Sequence, residues 1–85
     1  MTKIFYIGAS WCNQCRVLKP RFLDECKRLG LEEIKDYEFK DADDDEDFCL
    51  EWNVRNLPTL LFVRDGEEIG RANGVNAWEK VKEYI

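Results

Sequence analysis

An 85-residue chain buries roughly 60% of the surface that its unfolded form exposes, which leaves room for one modest core over residues 1–85 and not for two. With 45% apolar and 36% charged residues, the composition excludes disorder and collagen-like repeats, and no apolar run nears the length of a membrane span. The net charge of −5 is local. Residues 41–51 carry Asp41, Asp43, Asp44, Asp45, Glu46, Asp47 and Glu51 and no basic residue, and the remaining residues hold 13 basic against 11 acidic side chains. An acidic chain with no basic stripe repels phosphates, so no nucleic-acid partner is expected. Histidine is absent, which removes imidazole acid–base chemistry and histidine-ligated metal sites.

Lys3–Gly8 is rich in β-branched and aromatic residues on both faces and predicts a buried central strand. The apolar start is short and alternating and has no small-residue cleavage site, so it does not read as a signal peptide. A helix is predicted from about Cys12 to Leu29, with Leu18, Phe22, Cys26 and Leu29 on one face and Gly30 as its stop. Pro20 lies inside it and predicts a kink rather than two helices. Tyr37–Lys40 alternates as a short strand. The acidic run then opens a helix over about Asp45–Trp52, with aspartates expected to cap its free N–H groups. Thr59–Arg64 is an apolar strand, and Asp65-Gly66 joins it as a hairpin to Glu67–Ala72. A last helix is expected over about Asn76–Ile85. Asn76 and Glu79 suggest a capping box, and Ala77, Val81 and Tyr84 share a face. The order β-α-β-α-β-β-α predicts an α/β fold: a four-stranded mixed sheet flanked by helices on both sides.

Four cysteines carry the chemical signal: Cys12, Cys15, Cys26 and Cys49. Without a secretion signal, the Cys12/Cys15 spacing points to redox chemistry or metal binding rather than to structural disulfides. Trp11-Cys12-Asn13-Gln14-Cys15 lies where the first strand gives way to the first helix. A cysteine there faces unpaired N–H groups and the positive end of the helix dipole, which favour thiolate and lower its pKa below about 8.5. The second cysteine, one turn on, can close a reversible disulfide. As a zinc site the pair supplies only two of four ligands, so Cys26 and Cys49 would have to complete it. Both read better as small apolar residues. Asp41, Asp43 and Asp45 fit the first positions of a calcium loop, but Glu46 and Trp52 break the pattern, which leaves a solvated loop.

With Trp11-Cys12-Asn13-Gln14-Cys15, Pro20, Leu57-Pro58-Thr59 followed by Leu60-Leu61-Phe62, Val63-Arg64-Asp65-Gly66-Glu67 and Gly74, nearly the whole chain resembles the thioredoxin superfamily, and its thioredoxin branch most. It is shorter than a thioredoxin and nearer a glutaredoxin in length. The resemblance implies a minimal thioredoxin fold and a protein-disulfide reductase, with Cys12 as nucleophile and Cys15 as resolving thiol. It implies a cis proline at Pro58 beside the cysteines. It implies a substrate groove lined by Trp11, Leu57, Pro58, Thr59, Asn73 and Gly74. No metal or other cofactor is expected. The partners expected are disulfide-containing proteins and an external reductant, either a thioredoxin reductase or glutathione. A cytoplasmic monomer that engages no membrane completes the expectation.

The chain departs from the family twice. Tyr6 stands six residues before the first cysteine, where the family carries a buried aspartate that helps deprotonate the second cysteine. Phe39 or Lys40 falls near the family's second-strand lysine. The second departure is Asn13-Gln14 in place of Gly-Pro between the cysteines, which shifts the helix start and the potential. Two rivals stand beside the reductase: a glutathione-dependent glutaredoxin, and a non-catalytic thioredoxin-like adaptor module.

Overall fold

Alternation along two inner strands decides the architecture. In the computed structural model, which describes residues 1–85, β1 (Thr2–Gly8) and β3 (Thr59–Arg64) lie side by side at the centre of one sheet. Ile4, Tyr6, Leu60 and Phe62 point to one face, and Phe5, Ile7, Leu61 and Val63 to the other. The first face packs on Leu18, Phe22 and Cys26 of α1 (Asn13–Arg28). The second packs on Phe48, Cys49 and Trp52, which belong to or directly follow α2 (Glu46–Glu51). β2 (Tyr37–Asp41) runs parallel to β1, and β4 (Glu67–Asn73) runs antiparallel to β3, giving the order β2-β1-β3-β4. This is the expected mixed four-stranded sheet with helices on both sides.

Local chemistry ends each element. Gly30, at φ +73°, closes α1: its N–H reaches the Lys27 carbonyl, and the Leu31 N–H reaches the Cys26 carbonyl. This is the paired bonding of a Schellman cap. Asn53, at φ +54°, closes α2 in the same way, with the Val54 N–H on the Cys49 carbonyl. Asp65 and Gly66 both have positive φ, as a two-residue turn between right-twisted strands requires. α1 runs unbroken through Pro20.

Two capping expectations are corrected. The acidic run does not cap α2, since Asp45 at its N-cap makes no side-chain bond to it. Instead Asp41 Oδ1 accepts from the N–H groups of Asp43 and Asp44, and Asp45 Oδ2 accepts from the N–H of Asp41. The nearest free N–H groups lie in the loop, and the carboxylates fold it on itself. The last helix begins as a 3₁₀ turn (Ala77–Lys80) before α3 (Val81–Tyr84), and the Asn76 side chain makes no cap bond to it. Its Oδ1 is taken by the Arg21 guanidinium of α1 at 3.3 Å. Ala77 and Val81 are nevertheless buried, and Tyr84 stacks on Phe62 at 4.3 Å. The β4 strand also carries a bulge: Phe62 pairs with Gly70 while Val63 pairs with Glu68.

Ile34 has φ +73° and is 63% exposed. A β-branched residue in the left-handed region costs about 1–2 kcal/mol, and little burial would be lost on replacing it. Ile34→Gly should raise the unfolding free energy by about 0.5–1 kcal/mol after the greater freedom of glycine in the unfolded chain is deducted, as read by urea titration.

Three carboxylates are held below the ordinary range by hydrogen bonds from cations: Glu25 by Arg28, Glu38 by Lys40 and Lys3, and Glu68 by Arg71. A depressed folded-state pKa gives stability that is complete above the unfolded carboxylate value and is lost as pH falls through the folded one. Urea midpoints should therefore drop on acidification from pH 6 toward pH 3. Glu25→Gln should reduce the size of that drop, and no reduction would show that the Arg28 pair contributes nothing to it.

Candidate redox-active site

The site forms where β1 stops. The Cys12 N–H bonds the Ala9 carbonyl at 3.2 Å, which turns the chain before α1 starts. Cys12 then occupies the N-cap of α1 with extended backbone, φ −90° and ψ 110°, and its Sγ accepts the N–H of Cys15 at 3.2 Å. A sulfur thus fills the place that a serine or aspartate oxygen takes at other helix starts. Cys12 and Cys15 are joined as a disulfide, with Cα atoms 5.3 Å apart, inside the range that a bridge spans without backbone movement. Both are largely buried, Cys12 at 9% exposure and Cys15 at 6%, against Ala9, Ala42 and Leu57.

The expected groove residues fall into two groups. Trp11 is 64% exposed, and its Nε1 donates to Asp43 Oδ2 at 2.9 Å, so the acidic loop fixes the indole beside the cysteines. Leu57 packs on the cysteines, and the Leu57–Pro58 peptide bond is cis. The remaining groups brace this turn from within. The Gly74 N–H, at φ +90°, donates to the Pro58 carbonyl at 3.2 Å. Asn73 Nδ2 donates to Thr59 Oγ1 at 2.6 Å, and that hydroxyl in turn donates to the Asn56 carbonyl. Thr59 is 1% exposed, so its hydroxyl lies inside the protein and holds the strand start. Asp43, Gly8 and the hydroxyl of Tyr6 also shape the site. In the sequence Asp43 is one acid among seven, and nothing marks it as the partner of Trp11.

The other two cysteines stand apart from the pair and from each other. Cys26 is fully buried on the α1 face of the sheet, and Cys49 lies on the α2 face. Burial pushes the Cys26 thiol up to about 12, with Glu25 and Asp36 adding to the effect. Burial, then Asp45, Asp41 and Glu46, also push Cys49 up.

Comparison with known proteins agrees with this geometry. The thioredoxin family model matches residues 3–85. Chicken thioredoxin is 32% identical over 78 residues, which cover 92% of this chain and 70% of the relative. A TPR repeat-containing thioredoxin of Arabidopsis thaliana is 31% identical over 74 residues, which cover 86% of this chain and 18% of that protein. Other curated relatives are likewise matched over about a fifth to a half of their length. The X-ray structure of Fasciola hepatica thioredoxin superposes with a TM-score of 0.85 at 25% identity, covering 99% of this chain and 81% of that one.

After reduction of the disulfide, one thiol should be chemically distinct. Iodoacetamide at pH 7 should modify Cys12 well before Cys26 or Cys49, and faster than a free cysteine in a peptide. Mass spectrometry of the quenched digest reads the order. Equal rates at Cys12 and Cys49 would show that the helix N-terminus does not activate Cys12.

Proposed function

The chain belongs to the thioredoxin family; we propose that it is a thiol–disulfide oxidoreductase that reduces protein disulfides through its Cys12–Cys15 pair, with Cys12 as nucleophile and Cys15 as resolving thiol. The observation that carries this reading is the N-cap bond from the Cys15 N–H to the Cys12 sulfur, at the positive end of a helix. That bond and the dipole favour a Cys12 thiolate, which is the attacking species.

The Cys12 thiolate attacks one sulfur of a substrate disulfide. A Cys12–substrate disulfide forms, and the other substrate sulfur leaves as thiolate. Cys15 loses its proton and attacks Cys12 Sγ, which forms the Cys12–Cys15 disulfide and expels the second substrate thiolate. Two electrons pass from the dithiol to the substrate, and both released thiolates take protons from solvent. An external reductant, either a thioredoxin reductase or glutathione, restores the dithiol.

The Leu57 side chain packs against the pair and supports substrate docking there. An extended substrate segment beside Leu57, with Trp11 and Gly74 at the flanks, fits the exposed rim around Cys12. No helix is long and apolar enough to cross a membrane. A reductant role belongs to a reducing compartment, so the proposed setting is cytoplasmic, with the domain acting as a monomer.

Cys12→Ser should abolish insulin-disulfide reduction, while Cys15→Ser should accumulate mixed disulfides through Cys12. Retained reduction in Cys12→Ser would eliminate the nucleophile assignment. Rapid turnover by glutathione in a hydroxyethyl disulfide assay, without turnover by a thioredoxin reductase, would replace the reductase with the glutaredoxin alternative.

A further inference from the structure

Tyr6 is the one buried hydroxyl that reaches the resolving cysteine. It lies on β1 between Phe39 of β2 and Leu60 of β3, and it is 4% exposed. Its hydroxyl donates to the Cys15 carbonyl at 2.8 Å. Its ring is held by Phe22 at 5.4 Å and Phe39 at 5.2 Å. Gly8, two residues along the strand, shows how closely the groups converge. A Cβ at Gly8 would stand 3.1 Å from Tyr6 Cε1 and 3.2 Å from Cys15 Sγ. The ring edge and the sulfur therefore close on the same bare patch of backbone.

We propose that Tyr6 is a positioning residue for the resolving step: its hydroxyl fixes the Cys15 backbone and so aims the Cys15 sulfur at Cys12, while the Cys15 proton leaves to solvent through the adjoining cavity. The proposal rests on the oxidoreductase reading. The cavity, about 560 Å³, opens beside Cys15. The titratable and charged groups around it are Tyr6 of β1, Arg16 and Lys19 of α1, Lys40 and Asp41 of β2, and Asp45 of the following loop. Burial pushes Tyr6 up to about 12, so at neutral pH it donates a hydrogen bond and does not accept the thiol proton. Asp41 and Asp45 already accept loop N–H bonds, and Lys40 pairs with Glu38 at 2.9 Å. In the resolving step the Cys15 S–H bond breaks, its proton goes to solvent, the new thiolate attacks Cys12 Sγ, and the partner sulfur departs with the electron pair of the broken S–S bond.

Reduced protein treated with dithionitrobenzoate separates the two steps, because attack by Cys12 releases one thionitrobenzoate and resolution by Cys15 releases the second. The assay is run in a Cys49→Ala background. Tyr6→Phe keeps the ring and removes the hydroxyl. It should leave the first phase unchanged and slow the second about fivefold, the size of one net hydrogen bond. The second-phase rate should rise with pH through a single ionisation, in both parent and variant. An unchanged second phase in Tyr6→Phe, or equal slowing of both phases, overturns the positioning role. A second ionisation at lower pH, lost on Asp45→Asn, overturns the solvent exit by showing that a carboxylate takes the proton. Absence of a second release from the parent protein would instead remove the oxidoreductase reading on which the proposal stands.

Discussion

The first turn of α1 offers backbone N–H groups that no carbonyl of the helix can reach, and the sulfur of Cys12 takes one of them from Cys15. Most of the site follows from that contact. A cap must be non-helical, so Cys12 is held at φ −90° and ψ 110° by its own N–H on the Ala9 carbonyl. The next cysteine must lie in the first turn, because only there does its N–H point back at the cap. The spacing that permits a disulfide is therefore also the spacing that lets one cysteine stabilise the charge on the other. Capping and reactivity share one atom, and a replacement at position 12 must alter both.

The sheet supplies the second constraint. β1 has neighbours on both edges and helices on both faces, so each residue in it meets a defined partner. Tyr6 faces α1, Ile7 faces the α2 side, and Gly8 leaves the gap into which the Cys15 sulfur and the Tyr6 ring close. The Pro58 turn reaches the same place from β3. It is fastened through the Gly74 N–H and through the Asn73–Thr59–Asn56 hydrogen bonds. Residues from the two halves of the chain thus meet at the disulfide because β1 and β3 are adjacent, though they lie more than fifty positions apart in sequence.

The strands and the helix stops were legible because their causes are local. Apolar residues on both faces mark β1 and β3, Gly30 ends α1, and Asp65-Gly66 makes the hairpin. The Cys12/Cys15 pair was legible because its spacing and its strand-to-helix setting both lie within one short stretch. What the sequence hid depends on competition between partners. Asp45 precedes a helix and looks like a cap, yet the nearer loop N–H groups take the carboxylates first. Asn76 looks like a cap as well, yet Arg21 from α1 holds its side chain. The pairing of Trp11 with Asp43 and of Tyr6 with the Cys15 carbonyl is tertiary. No periodicity announces either, because each joins elements whose approach is set by the rest of the core.

A carboxylate buried where Tyr6 stands would need a compensating partner, because desolvating an unpaired charge is expensive. Here the space that such a carboxylate would occupy is filled by rings. Tyr6 lies 5.2 Å from Phe39 in an edge-on arrangement, and Phe22 closes on both. Such pairs contribute about 0.5–1.5 kcal/mol each beyond their buried area, and the phenol's one polar atom has a partner in the Cys15 carbonyl. The Lys19 ammonium lies over the outer side of the Phe39 ring at 4.8 Å, where it interacts with the ring face and stays at the cavity edge. The Cys15 backbone is therefore held by packing and a single neutral hydrogen bond. Packing can hold a sulfur in line, but it cannot accept a proton. That step then falls to the open side of the site, where the cavity lies beside Cys15.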